Sequence, residues 1–203
     1  MLRDVVARRE QVLGSSHFST FLAKGNLGAA LISAGELVEA EPFAREALDG
    51  YRSRFGDNDP RTVVLKGNLA YLLEDLGHTD EAIRLYRETI ETQRNSNGTL
   101  GPETWATLNN LAMLLVNHER AQEARPLFDE LLAMCDALLP EGHYYTAIFR
   151  NNHAQCLSAL GEYELAMNAI ERSHPVLIAT FGVDHERVVR SNERRALIES
   201  MRR

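Results

Sequence analysis

The chain has 203 residues, 44% of them hydrophobic and 25% charged, and a formal net charge of −7. Such a chain can bury a sizeable core, while its acidic balance argues against nucleic acid as a partner, because neutralising phosphates needs a basic stripe. No run approaches the length of a membrane span and Met1–Asp4 opens no signal-peptide core, so no membrane partner and a cytoplasmic location are expected.

Residues 1–16 read as the later part of a helix. A shift of 42 residues lays Val6 on Leu48, Leu13 on Phe55 and Gly14 on Gly56. The partner helix is missing, which favours a fragment of a longer protein with an open apolar edge. Repeat 17–58 follows, with Pro42 near the start of its second helix, where a missing N–H costs little. Repeat 59–100 is the clearest copy. Leu65, Leu69, Leu72, Leu73 and Leu76 recur at helical spacing. Gly77 interrupts, as a residue able to take the left-handed conformation that closes a helix, and Ala82, Leu85, Tyr86, Thr89 and Ile90 restart the pattern. The unit is a helical hairpin whose two apolar stripes need neighbours.

In repeat 101–142, Asn117-His118-Glu119-Arg120 replaces the glycine turn, so a locally different connection is expected there. Repeat 143–184 departs further. His153 replaces Leu111, His174 replaces Leu132, and Pro175 falls well inside the second helix. A proline at that depth removes a hydrogen bond and crowds the Glu171 carbonyl, which predicts a bend or break near Glu171 to His174. Residues 185–203 form one more first helix. Arg190, Arg194, Arg195, Arg202 and Arg203 make it a solvated cap, with cations near the negative pole of the helix. Ten helices are expected in all.

The copies keep a strict register. Asn26, Asn68, Asn110 and Asn152 fall 42 residues apart, as do Leu31, Leu73, Leu115 and Leu157, and Ala40, Ala82, Ala124 and Ala166. Repetition of one hairpin at a fixed period predicts a solenoid, here a single array over 1–203.

Asn109-Asn110-Leu111-Ala112, the turn glycines and Glu123-Ala124 resemble tetratricopeptide repeats. Their length and linkers such as Asp59-Pro60-Arg61-Thr62 resemble the long variant of kinesin light chains and many bacterial signalling proteins. The resemblance implies an all-α, right-handed α-solenoid. Leu139-Pro140-Glu141-Gly142-His143, continuing to Phe149-Arg150-Asn151-Asn152, also resembles the repeat regions of bacterial serine/threonine kinases. That second likeness implies a regulatory docking segment.

In tetratricopeptide proteins the first helices line a concave face that binds extended peptides. Carried onto this chain, the face comprises Asn26, Asn68, Asn110 and Asn152, with Tyr71, Met113 and Gln155 one turn along. Asn109 and Asn151 add amides where earlier copies have Gly25 and Gly67. A carboxamide both donates and accepts, so it can pair with peptide backbone; equally, the asparagines can bond between repeats and brace them. Arg194 in the same slot suits a ligand carboxylate, or a solvated cap. The expected function is a protein-interaction scaffold for an extended peptide or partner protein. The alternative is self-association, giving a homo-oligomer, or a docking role in a larger signalling protein.

No catalytic motif is present, and neither a catalytic residue, a cofactor nor a metal is expected. His17, His143 and His185 share one linker slot. They therefore sit on layers about 8–10 Å apart, too far for zinc ligands that converge within about 2 Å of one point. A helix-capping or linker role is expected for them, with His153 and His174 forming a buried hydrogen-bonded pair. Cys135 and Cys156 lack metal-ligand spacing and are expected as reduced thiols.

Overall fold

A computed structural model describes residues 1–97 and 101–202, and among them the chain is ten α-helices with no strand. The helices form two compact units, Met1–Thr99 and Leu100–Arg203. The first unit holds α1 (Leu2–Leu13), α2 (Phe18–Ser33), α3 (Leu37–Phe55), α4 (Pro60–Asp75) and α5 (Thr79–Asn97). The second holds α6 (Pro102–Asn117), α7 (Ala121–Leu138), α8 (Tyr144–Ala159), α9 (Tyr163–Phe181) and α10 (Glu186–Met201). Within each unit every helix packs on its neighbours in the chain. In the second unit the first helices of successive hairpins also touch, α6 on α8 and α8 on α10.

The periodic slots explain where helices begin and how they pair. His17, His143 and His185 are the N-caps of α2, α8 and α10, each ring Nδ1 accepting the backbone N–H two residues on, at 3.1–3.2 Å. Asp59 does the same for α4 at 3.0 Å. The capping expectation for these histidines therefore holds, and it fixes the proton on Nε2, since Nδ1 must present a lone pair. Ala40, Ala82, Ala124 and Ala166 are all fully buried. A methyl group in this slot lets the second helix approach its partner closely.

Two local expectations are met only in part. The connection after α6 keeps the bonding of the glycine turns, although its cap His118 sits at φ −108°, ψ 29°, outside the αR geometry of Ala34, Leu76 and Leu160. Glu119 adopts φ 61°, close to the 77–78° of Gly35, Gly77 and Gly161. Arg120 N–H bonds back to the Leu115 carbonyl at 2.8 Å, as Glu36 does to Leu31 and Glu162 to Leu157 at 2.9 Å. The helix-closing bonds of the turn hold a non-glycine residue in a conformation it disfavours. Of the bend or break expected near Glu171 to His174, the break is absent: α9 runs from Tyr163 to Phe181 through Pro175. Pro175 and Glu171 are both exposed, so the carbonyl left without a donor can turn to water. Ile170, Ser173 and Leu177, all within 1% of complete burial, pin the helix on its other side. No helix among the described residues is long and apolar enough to cross a membrane.

Candidate functional site

The amide-bearing faces of the two units differ. In the first unit Asn26, Asn68 and Tyr71 are exposed on α2 and α4. In the second unit the corresponding groups are joined. Asn152 on α8 donates from Nδ2 to Asn109 Oδ1 on α6 at 2.8 Å, and Asn109 Nδ2 reaches Asn110 Oδ1 at 3.4 Å. From α10, Arg194 Nη1 donates to Asn152 Oδ1 at 3.2 Å and to the Asn151 carbonyl at 2.8 Å. Its Nε and Nη2 both donate to Gln155 Oε1, at 3.1 and 2.7 Å. Gln155 Nε2 then donates to Asn117 Oδ1 at 3.2 Å. A line of side-chain hydrogen bonds thus crosses α6, α8 and α10.

The structure brings together Asn109, Asn110, Asn152, Gln155 and Arg194, and leaves Met113 half-buried beside them. Asn152 has bonds at both ends of its amide, so in this unit the asparagines brace the repeats. Asn151, expected among the peptide-binding amides, lies deeper. It is 5% exposed, and its Oδ1 has no partner among the described residues.

Arg194 is not a solvated cap. Its four acceptor contacts are all to neutral groups, with no carboxylate among them. Burial, with Arg190 adding repulsion, pushes its pKa down to about 10. A cavity of about 40 Å³ opens beside it, lined by Ile148, Asn151, Asn152, Leu177, Arg187, Arg190 and Arg194. Arg190 is tied to Glu186 on its own helix. A desolvated cation lacking a counter-charge, at a polar cavity, is chemically a receptor for an anion.

His153 and His174 do not pair. His153 stacks on Phe128 with ring centroids 5.4 Å apart and lies 3.7 Å from Asp129, and its Nε2 has no hydrogen-bond partner among the described residues. His174 meets the Ser191 hydroxyl at 3.0 Å. Burial lowers both pKa values, helped at His174 by Arg195. The thiols of Cys135 and Cys156 are buried and pushed up to about 11 by burial.

One set of residues escaped the sequence reading. Lys24, Lys66 and Arg150 occupy one slot of the 42-residue register, and their side chains are only 5%, 4% and 15% exposed. Leu108 fills that slot in the third repeat. The signal was a recurring cation on the otherwise apolar side of a first helix.

A family model described as tetratricopeptide repeat matches residues 19–95 and 103–179. No curated protein matches the chain by sequence. Among solved structures, the chain is similar to a kinesin-light-chain-type protein of Podosopora anserina with nearly identical TPR-like repeats. That match has TM-score 0.79 and 21% identity, over 88% of this chain and 84% of that one. It is also similar to BtubC (BKLC) of P. vanneervenii, with TM-score 0.76 and 20% identity, over 89% of this chain and 72% of that one. At these identities the likeness concerns the fold.

Proposed function

The chain belongs to the tetratricopeptide repeat family, and from that membership we propose that it is a non-catalytic protein-interaction scaffold that binds an extended peptide segment of a partner. The unbroken 42-residue register supports reading 1–203 as one repeat array. In the second unit the peptide lies across α6, α8 and α10. Asn110 and the half-buried Met113 meet its backbone and side chains, and its carboxylate faces Arg190 and Arg194. Asn26, Asn68 and Tyr71, exposed in the first unit, offer further contacts to partner backbone.

The observation that carries this reading is Arg194, a desolvated guanidinium with only neutral acceptors beside a cavity that two other arginines line. A ligand carboxylate there gains charge-assisted hydrogen bonds, each worth about 1.5–3 kcal/mol. Panning a library of peptides with free C-termini, followed by fluorescence anisotropy, tests it. Arg194→Gln together with Arg190→Ala should weaken the selected peptides by roughly ten- to a hundredfold. Failure to select any peptide, or equal binding by the variant, counts against the reading.

A second reading is self-association through α1, whose Leu2, Val5, Val12 and Leu13 are 36–71% exposed. Light scattering at two concentrations separates it from a monomeric adaptor.

A further inference from the structure

Another face of α8 borders a larger cavity, of about 370 Å³, which the amide face does not reach. Its walls come from the end of α7, the loop Leu139 to His143, the first half of α8, and Arg172 and Val176 on α9. The register shows how its lining departs from the earlier repeats. The slot of Ala147 holds Phe21, Val63 and Trp105 in the earlier repeats. In the first repeat that aromatic ring covers Gly50, at whose position a Cβ would come within 2.1 Å of Phe21. Ala147, opposite Val176 in the slot of Gly50, gives this cavity a small aliphatic wall, whereas the cavity of about 490 Å³ in the first repeat lies against the Phe21 ring.

The charges around the cavity are reversed as well. In the first repeat the buried cation Lys24 has two carboxylates, Glu10 at 2.6 Å and Glu46. Burial works against the charged lysine, but its hydrogen bonds to both acids outweigh that, and its pKa is raised. In the fourth repeat the cation slot holds Arg150, and the two acid slots hold Asp136 and Arg172. The second-helix slot is Glu46, Glu88 and Glu130 in the three earlier copies, so Arg172 inverts its sign. Asp136 is the only acid paired with Arg150 among the described residues. It is 64% exposed and touches Arg150 at 3.5 Å. Burial first, and then repulsion from Arg172, lowers the Arg150 pKa despite Asp136.

We propose that this cavity binds a carboxylate side chain from an acidic segment of a partner protein, held between Arg150 and Arg172 in the role that Glu46 plays beside Lys24. A monoanionic carboxylate suits the site better than a phosphoryl dianion. Asp136 and Glu141 also line the cavity and offset the two arginines, so a second ligand charge adds desolvation cost with little net attraction. The volume exceeds what one carboxylate fills, leaving room for the stem of a glutamate side chain and a flanking residue. The site is separate from the Arg194 face and does not depend on it.

Arginine Nε–Hε resonances of the full chain, titrated with a hexaglutamate peptide, with acetate and with inorganic phosphate, provide the test. Hexaglutamate should shift Arg150 and Arg172 saturably, and at lower concentration than acetate or phosphate. Arg172→Glu restores the charge pattern of the earlier repeats and gives Arg150 an internal partner. That variant should bind hexaglutamate at least tenfold more weakly at Arg150 while melting no lower than the parent. Arg194→Gln, by contrast, should leave the shift at Arg150 unchanged. A non-saturable response, undiminished binding by Arg172→Glu, or tighter binding of phosphate than of hexaglutamate would overturn the proposal.

Discussion

Glu119 concentrates the cost of the third hairpin in one backbone conformation. The left-handed region costs an L-residue about 1–2 kcal/mol, and the other turns of this type place glycine there. Glu119→Gly removes that strain but enlarges the entropy of the unfolded chain by roughly 0.4–1 kcal/mol. The net expectation is a gain of about 1 kcal/mol or less, read as a higher midpoint in chemical denaturation. His153 is a second residue under tension, with a buried Nε2 that has no hydrogen-bond partner among the described residues, in a slot where Leu111 packs without penalty. His153→Leu should stabilise the fold by about 1–2 kcal/mol, the range set by removing a buried unsatisfied polar group.

The pH dependence follows from the same histidines. His153 and His174 have pKa values lowered by burial, so between their folded values and the ordinary histidine range the unfolded chain binds more protons. Their contribution to stability is complete above the unfolded pKa and is lost as pH falls through the folded values. Melting temperature should therefore fall on acidification below about pH 6.5, the unperturbed histidine value, and fall less in His153→Leu. An identical profile for parent and variant would show that the buried imidazole is not responsible.

Whole elements add a different lesson, since α9 tolerates a proline that the sequence marks as a breaker. The pattern of apolar residues told where α9 lies but not which side of it Pro175 occupies relative to water. Because Glu171 and Pro175 are exposed, the lost bond is partly replaced by solvent, and the cost falls below the ~3 kcal/mol of a buried helix interior. Pro175→Ala should still raise the melting temperature. At the α2–α3 contact the margin is far narrower. A methyl group on Gly50 would meet the Phe21 ring at 2.1 Å, so Gly50→Ala should destabilise by about 1–3 kcal/mol through overpacking. Thermal melts of the two variants should move in opposite directions.

Across the molecule, periodicity carried most of the fold. A register marked by asparagine, leucine, alanine and glycine slots was enough to give the ten helices of the described residues and the glycine turns, but not the turn at Glu119. Bond patterns within a slot were less legible. Asn68 and Asn152 share a position in the sequence, yet one is exposed while the other is bonded through both ends of its amide to Asn109 and Arg194. What differs within each unit is the neighbour: Gly25 stands to Asn68 as Asn109 stands to Asn152, and it offers no side chain. The buried row of Lys24, Lys66 and Arg150 was visible in the register too. It was missed because charged residues are expected on solvated faces, and nothing in local spacing shows that Glu10 and Glu46 close over Lys24.

The central claim is that α6, α8 and α10 present a face for a partner peptide. It is tested most directly by mapping side-chain amide and arginine Nε–Hε resonances as a library-selected peptide is added. The account predicts that Asn109, Asn110, Asn152 and Gln155 amides and the Arg194 Nε–Hε shift together, with one dissociation constant. A bound peptide that leaves these five side chains unperturbed and shifts resonances elsewhere would contradict it.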